Sequence, residues 1–210
     1  MNFFRSFFIL RYFKWILGLG IPLLLFLWFS SSYNSIISLE EQSLEKWGQV
    51  KTAYQRRFDL IPNLVETVKG SADFEKSTLE GVIAARSQAT SFNLNPDMLS
   101  NPEQMAAFEK AQANFSGALS RLMVVVEKYP DLKASQQFSD LMVQLEGTEN
   151  RINIARQDFN SSVKDYNTRI RTFPGNLFAG IFGFEKKVYF EGDAQNEAAP
   201  SVGKIFKDKE

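Results

Sequence analysis

The chain has 210 residues, 44% of them apolar, with 24 basic and 24 acidic side chains and neither cysteine nor histidine. Without cysteine there can be no disulfide, thiol chemistry or cysteine zinc site, and without histidine the usual general base and the commonest transition-metal ligand are missing. Arg5, Arg11 and Lys14 are the only charges before residue 33, and taking these 3 from 24 leaves 21 basic against 24 acidic residues, a net of −3; nucleic acid, which needs a concentrated basic face, is therefore not an expected partner.

Trp15 to Phe29 reads WILGLGIPLLLFLWF without a charge, and Ser30, Ser31, Ser32 and Tyr33 follow. With its flanks this is a short spanning helix, with Trp15, Trp28 and Tyr33 at interfacial positions and Pro22 tolerable within it. A cleaved signal peptide competes, but no A-x-A site follows, and acylation of a lipoprotein type needs a cysteine. The three early cations precede the span, whereas Glu40, Glu41 and Glu45 follow it. The positive-inside rule then puts the N-terminus in the cytoplasm and the remainder outside the inner membrane, in the periplasm of a two-membrane bacterium. The expected organisation is a cytoplasmic N-terminus and single membrane helix over 1–32, a helical domain over 33–191 and a flexible tail over 192–210.

From Tyr33 onward Leu39, Trp47, Val50, Tyr54, Phe58, Ile61, Val65 and Val68 fit one buried helical stripe. Pro62 disfavours helix at Ile61 and deletes a donor, so a hairpin capped by Asp59 is expected there, giving helices over about 33–58 and 60–90; a single kinked helix is the alternative. Asn93, Asn95 and Pro96 mark a loop over 91–101. Asn101, Pro102 and Glu103 then start a helix whose stripe of Met105, Phe108, Phe115, Leu119, Leu122 and Val126 is broken only by Gln112. Asp131 to Phe173 reads as one long helix. Phe138, Leu145, Ile152, Phe159, Tyr166 and Phe173 form a bulky heptad column, and Leu141, Thr148, Ala155, Ser162 and Arg169 a mostly small one. Four helical segments with short links make an antiparallel up-and-down four-helix bundle with long helices the economical all-α fold. The last helix would return to the bilayer. There Phe173 to Phe184, with Phe173, Phe178, Phe182 and Phe184 but also one proline and three glycines, forms an interrupted apolar stretch that either plugs the bundle's open end or enters the membrane interface.

Tyr54 to Gly70, Thr78-Leu79-Glu80 with Ala85-Arg86, Tyr129 to Leu132, Glu149 to Ile152 with Ala155-Arg156, Tyr166-Asn167, and Phe173-Pro174 leading to Phe182-Gly183-Phe184 together resemble the motifs of the LemA family of bacterial membrane proteins, in order over about 33–191. The resemblance implies one N-terminal membrane helix and a helical bundle, with no established activity. Phe58 and Phe74 depart from it, standing where the family has a tyrosine and often a histidine. It also implies an N-terminus outside the cell; the charge distribution argues the reverse, and that reading is retained.

Arg56, Arg57, Asp59 and Asn63 are the densest polar cluster. They either cap the expected junction or bind an anion or a partner carboxylate. Along the long helix Glu146, Glu149, Asn153, Arg156, Asn160 and Asn167 form a polar stripe unusually rich in asparagine, which could pair with Arg86 or Gln112 or present a protein-binding surface; Asn150 adjoins it. Neither a metal site nor a cofactor is expected, because carboxylate sites in bundles use Glu-x-x-His pairs and no phosphate loop or nucleophile motif is present. The sequence thus points to a membrane-anchored, non-enzymatic scaffold or adaptor of the bacterial envelope, with a protein partner or homo-oligomer. The alternative is a ligand-sensing, small-molecule or anion-binding bundle.

Overall fold

The computed structural model describes residues 3–71 and 74–191, with side chains from residue 20 onward. Among them every regular element is helical: α1 (Phe3–Lys69), α2 (Lys76–Thr90), a short 3-10 helix (Pro96–Ser100), α3 (Pro102–Val126), the single turn α4 (Pro130–Lys133), α5 (Gln136–Arg171) and α6 (Gly175–Phe182). The side chains of Arg5, Arg11, Lys14 and Trp15, and the tail 192–210, lie outside the described residues.

The hairpin expected at 58–62 does not form, because α1 runs through Pro62 to Lys69. Proline removes the N–H that would bond the Phe58 carbonyl one turn back. Arg86 of α2 replaces it, its Nε donating to that carbonyl at 3.0 Å. With the carbonyl satisfied, burial of Val50, Tyr54, Ile61, Leu64 and Val68, each no more than 2% exposed, keeps the helix continuous across the proline. The break comes at Gly70 and Ser71 instead. Asp59 caps no helix; its Oδ1 accepts from Gln55 Nε2 at 2.8 Å, one turn away.

The cap expected at Asn101 does form, its Oδ1 accepting from the Gln104 N–H at 3.0 Å with Pro102 in the first turn. The long helix from Asp131 to Phe173 is divided. After α4 the Ser135 N–H bonds the Leu132 carbonyl, a tighter three-residue step that interrupts the ladder before α5 begins. Within α5 both predicted columns are buried, from Phe138 and Leu141 through Thr148, Ile152, Phe159 and Ser162 to Tyr166. Phe173 falls outside the seam, 73% exposed, because α5 stops at Arg171.

The helices contribute to two compact units, one of residues 1–45 and 162–186 and one of residues 46–161 and 187–210. In the first, Ile36 of α1, Tyr166 and Ile170 of α5 and Phe178 of α6 make a buried cluster, flanked by Tyr33, Leu39, Ala179 and Phe184. α6 is a helix where an interrupted stretch was expected: Gly175 starts it on the close-packed face, Gly183 ends it, and only Gly180 falls within it, on the exposed side. A Cβ on Gly175 would lie 1.9 Å from the Arg169 carbonyl oxygen, so only glycine fits there. Gly183, at φ 73°, ends the helix, and its N–H and that of Phe184 both bond the Ala179 carbonyl. From Gly20 on, α1 is, among the described residues, long and apolar enough to cross a membrane, and its apolar part lies in this unit. There Ile21, Leu23, Leu24, Leu25, Phe26, Leu27, Trp28 and Phe29 are 41–67% exposed.

The second unit is built on aromatic pairs across helices. Tyr54 meets Phe108 edge-on at 5.1 Å, Phe58 lies 5.7 Å from Phe115, and Trp47 lies 5.4 Å from Phe159. α2 packs on α3.

Candidate functional site

Arg57 continues the buried register of α1, one position in a series that runs Val50, Tyr54, Arg57, Ile61, Leu64 at steps of three and four, and it is 2% exposed. A guanidinium so placed is tolerable only if its charge and its donors are met. Nη1 donates to Glu149 Oε2 of α5 at 2.7 Å and to Ser116 Oγ of α3 at 3.2 Å. Nη2 donates to Gln112 Oε1, and Gln112 in turn donates to the Ala89 carbonyl at 3.4 Å. The guanidinium carbon lies 5.2 Å from the Tyr54 ring centre and 5.0 Å from that of Phe115. Only Nε finds no acceptor among the described residues. Burial pushes the Tyr54 hydroxyl up to about 12, Arg156 and Arg57 opposing that rise and Glu149 and Glu109 adding to it.

Glu149 is still half exposed, with 46% of its side chain open, so the pair reaches from the core to the wall of a cleft. The cleft holds about 280 Å³ and is lined by Leu64, Leu119, Met123, Met142 and Leu145, with Arg57, Ser116, Ser120, Glu146 and Glu149. Two carboxylates and one engaged guanidinium leave it acidic in balance. Among the described residues no group of three or more carboxylates could hold a metal ion.

A second constellation in this unit holds the segment at 188–191. The Val188 N–H bonds the Leu99 carbonyl at 2.7 Å. Asn160 reads both main-chain groups of Phe190, Nδ2 donating to its carbonyl at 2.9 Å and Oδ1 accepting from its N–H at 2.8 Å. Arg156 Nη2 donates to the Glu191 carbonyl at 2.8 Å, and Glu109 Oε1 accepts from the Glu191 N–H at 2.9 Å. The Phe190 ring sits among Trp47, Phe108 and Phe159, with the Arg156 guanidinium 4.8 Å from its centre. Outside any helix or ladder, both main-chain groups of Phe190 and of Glu191 are thus paired by side chains.

The residues singled out from the sequence separate accordingly. Arg57 turns inward while Arg56, Asp59 and Asn63 are exposed on α1, so the expected junction cluster does not exist as a unit. Arg86 serves the Pro62 gap. Glu149 joins Arg57, Arg156 and Asn160 hold the C-terminal segment, Asn150 is exposed, and Asn167 is buried in the first unit. Of the phenylalanine patch Phe178 is buried, Phe184 half-buried, and Phe173 and Phe182 exposed. Sequence reasoning marked Gln112 as a break that could pair with the polar stripe of α5, but did not place Arg57 between Gln112 and Glu149. An arginine and a glutamine each falling in an otherwise apolar register were the available signal that they meet. Ser116 and Glu109 carried no such mark, and Leu99 contributes only a carbonyl.

Residues 46–203 match the model of the LemA family. Magnetosome protein MamQ 2 of Paramagnetospirillum magneticum is 27% identical over 192 aligned residues, covering 84% of this chain and 71% of that protein. Magnetosome protein MamQ of Magnetospirillum gryphiswaldense is 27% identical over the same length and with the same coverage. Protein LemA of Metamycoplasma hominis is 26% identical over 130 residues, covering 62% of this chain and 55% of its own. With the family's model spanning most of its length, this chain belongs to the LemA family.

Proposed function

We propose that this protein is a membrane-anchored, non-enzymatic scaffold or adaptor of a bacterial envelope. Segment 1–32 holds it in the inner membrane with the N-terminus in the cytoplasm, and residues 33–191 act on the periplasmic side as an antiparallel up-and-down four-helix bundle. The observation that carries the reading is the run from Ile21 to Phe29, whose large apolar side chains are left uncovered on a helix that continues into the folded part. Such a helix in water would expose far more contiguous apolar surface than soluble proteins tolerate. Support for a bundle comes from Arg57 of α1, which reaches Gln112 of α3 and Glu149 of α5 together. Support for a non-catalytic role comes from Arg57, Gln112, Arg156 and Asn160, which direct their hydrogen bonds to the chain itself. Tethering raises the local concentration of the domain for membrane partners. Arg56, Asp59, Asn63 and Asn150 are the exposed polar side chains offered to a protein partner or to a second copy.

The test combines a pulldown from detergent with the native mass of the protein. A reproducible partner or a defined oligomer is expected; a monomer that captures nothing sinks the scaffold reading. Because the chain has no cysteine, a single thiol at the exposed position Ser161 reports topology. Labelling in intact spheroplasts is expected, and labelling only after lysis would place the domain in the cytoplasm.

The cleft beside Arg57 favours a second reading, a small-molecule-binding bundle. With Arg57 already engaged by Glu149 and Gln112 and with Glu146 beside them, an amphiphilic cation suits it better than an anion. Thermal shift with long-chain amines tests this, and no stabilisation by any of them would remove it.

A further inference from the structure

We infer that α6 is a lipid-facing helix, seated at the membrane interface against the end of the apolar stretch of α1 and covered on its open side by the bilayer. The inference rests on the anchored reading above and adds a second contact with lipid.

α6 has two unlike faces. Phe178 is 3% exposed, in the cluster with Ile36, Tyr166 and Ile170. On the other side Leu177 and Ile181, one step of four apart and so on one face of the helix, are 54% and 71% exposed, and Phe173, in the turn just before α6, is 73% exposed. Phe182 is 46% exposed. No charged residue occurs from Thr172 to Phe184. A short helix with large apolar side chains on its open face and no charge has no stabilising relation with water.

What covers that face is given by what α6 touches. Phe178 packs on Trp28 at 6.4 Å and on Phe29 at 4.8 Å; Phe182 packs on Phe29 at 6.1 Å and on Tyr33 at 4.9 Å. Trp28 and Phe29 are the last residues of the uncovered apolar run, and Tyr33 is the aromatic that follows it. If lipid covers Leu24 to Phe29, a helix in ring contact with Trp28 and Phe29 lies at the depth of the same lipid boundary. The exposed row of α6 is therefore continuous with the lipid-covered surface of α1. Tryptophan and tyrosine at this level suit the headgroup region, where an amphipathic helix lies in the plane of the interface. The partner is thus a lipid surface, and the pair of contacts would hold the emerging helix in one rotational setting about its axis.

The test uses the full chain in vesicles of phosphatidylethanolamine and phosphatidylglycerol. Single cysteines at Leu24→Cys, Leu177→Cys and Ile181→Cys carry an environment-sensitive fluorophore, with quenchers placed on lipids at shallow or deep positions. Emission at 177 and 181 is expected to shift to the blue and to lose intensity to shallow quenchers at every protein-to-lipid ratio, while 24 responds to deep ones. Aqueous emission at 177 and 181, quenched by iodide, overturns the inference. So does shielding that appears only at high protein density, which would make the row a contact between copies. If position 24 also emits as in water, the anchored reading itself has failed; if 24 reports lipid and the other two do not, only the placement of α6 has.

Discussion

The two compact units handle the mismatch between side chain and solvent in opposite ways. The unit of residues 46–161 and 187–210 takes a charge into its interior and surrounds it: Arg57 meets Glu149, Gln112 and Ser116, lies between two aromatic rings, and is almost wholly removed from water. The unit of residues 1–45 and 162–186 does the reverse, leaving Leu177, Ile181 and the run from Ile21 to Phe29 uncovered. A buried charge is tolerable when partners replace the lost hydration, whereas uncovered apolar rows are tolerable when something other than water covers them. The first condition is met within the chain; the second asks for a surface outside it.

The sharpest way to break the comparison is to remove the enclosed charge. Arg57→Ala should destabilise the domain by about 3 kcal/mol, because Gln112 loses its partner and a large cavity opens. The double variant Arg57→Met with Gln112→Leu should recover much of that loss, since the buried guanidinium and amide are both replaced by apolar groups of similar size and the half-exposed Glu149 can turn to water. Urea unfolding in detergent followed by circular dichroism reads both, and a double variant no better than the single one would mean that the network itself, rather than its completeness, is what matters.

Alkali probes the same interior. Tyr54 is held neutral, its hydroxyl raised from 10.0 to about 12 by burial. Between those values the unfolded chain has released the proton and the folded one has not, so stability is fully present below pH 10 and falls as pH rises toward 12. The loss should reach about 2 to 3 kcal/mol at ~1.4 kcal/mol per pH unit, and Tyr54→Phe should remove it. Burial also raises Tyr166 in the other unit, with Glu40 and Glu185 adding to it, so an alkaline loss of the same sign should survive in that variant.

Asn160→Ala should cost about 1 to 2 kcal/mol by orphaning both main-chain groups of Phe190. Its clearer readout is proteolysis, with cleavage near Tyr189 becoming faster while helix content holds. The smallest expected effect is that of Arg86→Ala, about 1 kcal/mol, from the Phe58 carbonyl left open beside Pro62. Combining it with Pro62→Ala, which restores the missing N–H, should cancel the loss. If it does not, the bond from Arg86 is incidental to the continuity of α1.

Periodicity and composition alone established the helical class, the apolar span, the capped start at Asn101 and the buried columns of α5, because each is a local property of side-chain spacing. The motifs from Tyr54 to Phe184 were enough for the family. Where α1 ends was not legible. Proline at 62 argued for a break, and only the arrival of Arg86, 24 positions later in the chain, satisfied the carbonyl that proline had freed. The polar residues divide in the same way. Their unusual number on α5 could be read directly, but that Glu149 serves a guanidinium of α1, that Asn160 holds the Phe190 main chain and that Arg56 stays outside while Arg57 turns in depends on which helices meet. Spacing says which residues share a face; the partner across that face is chosen by tertiary packing, since a buried donor must find its acceptor wherever in the chain it lies.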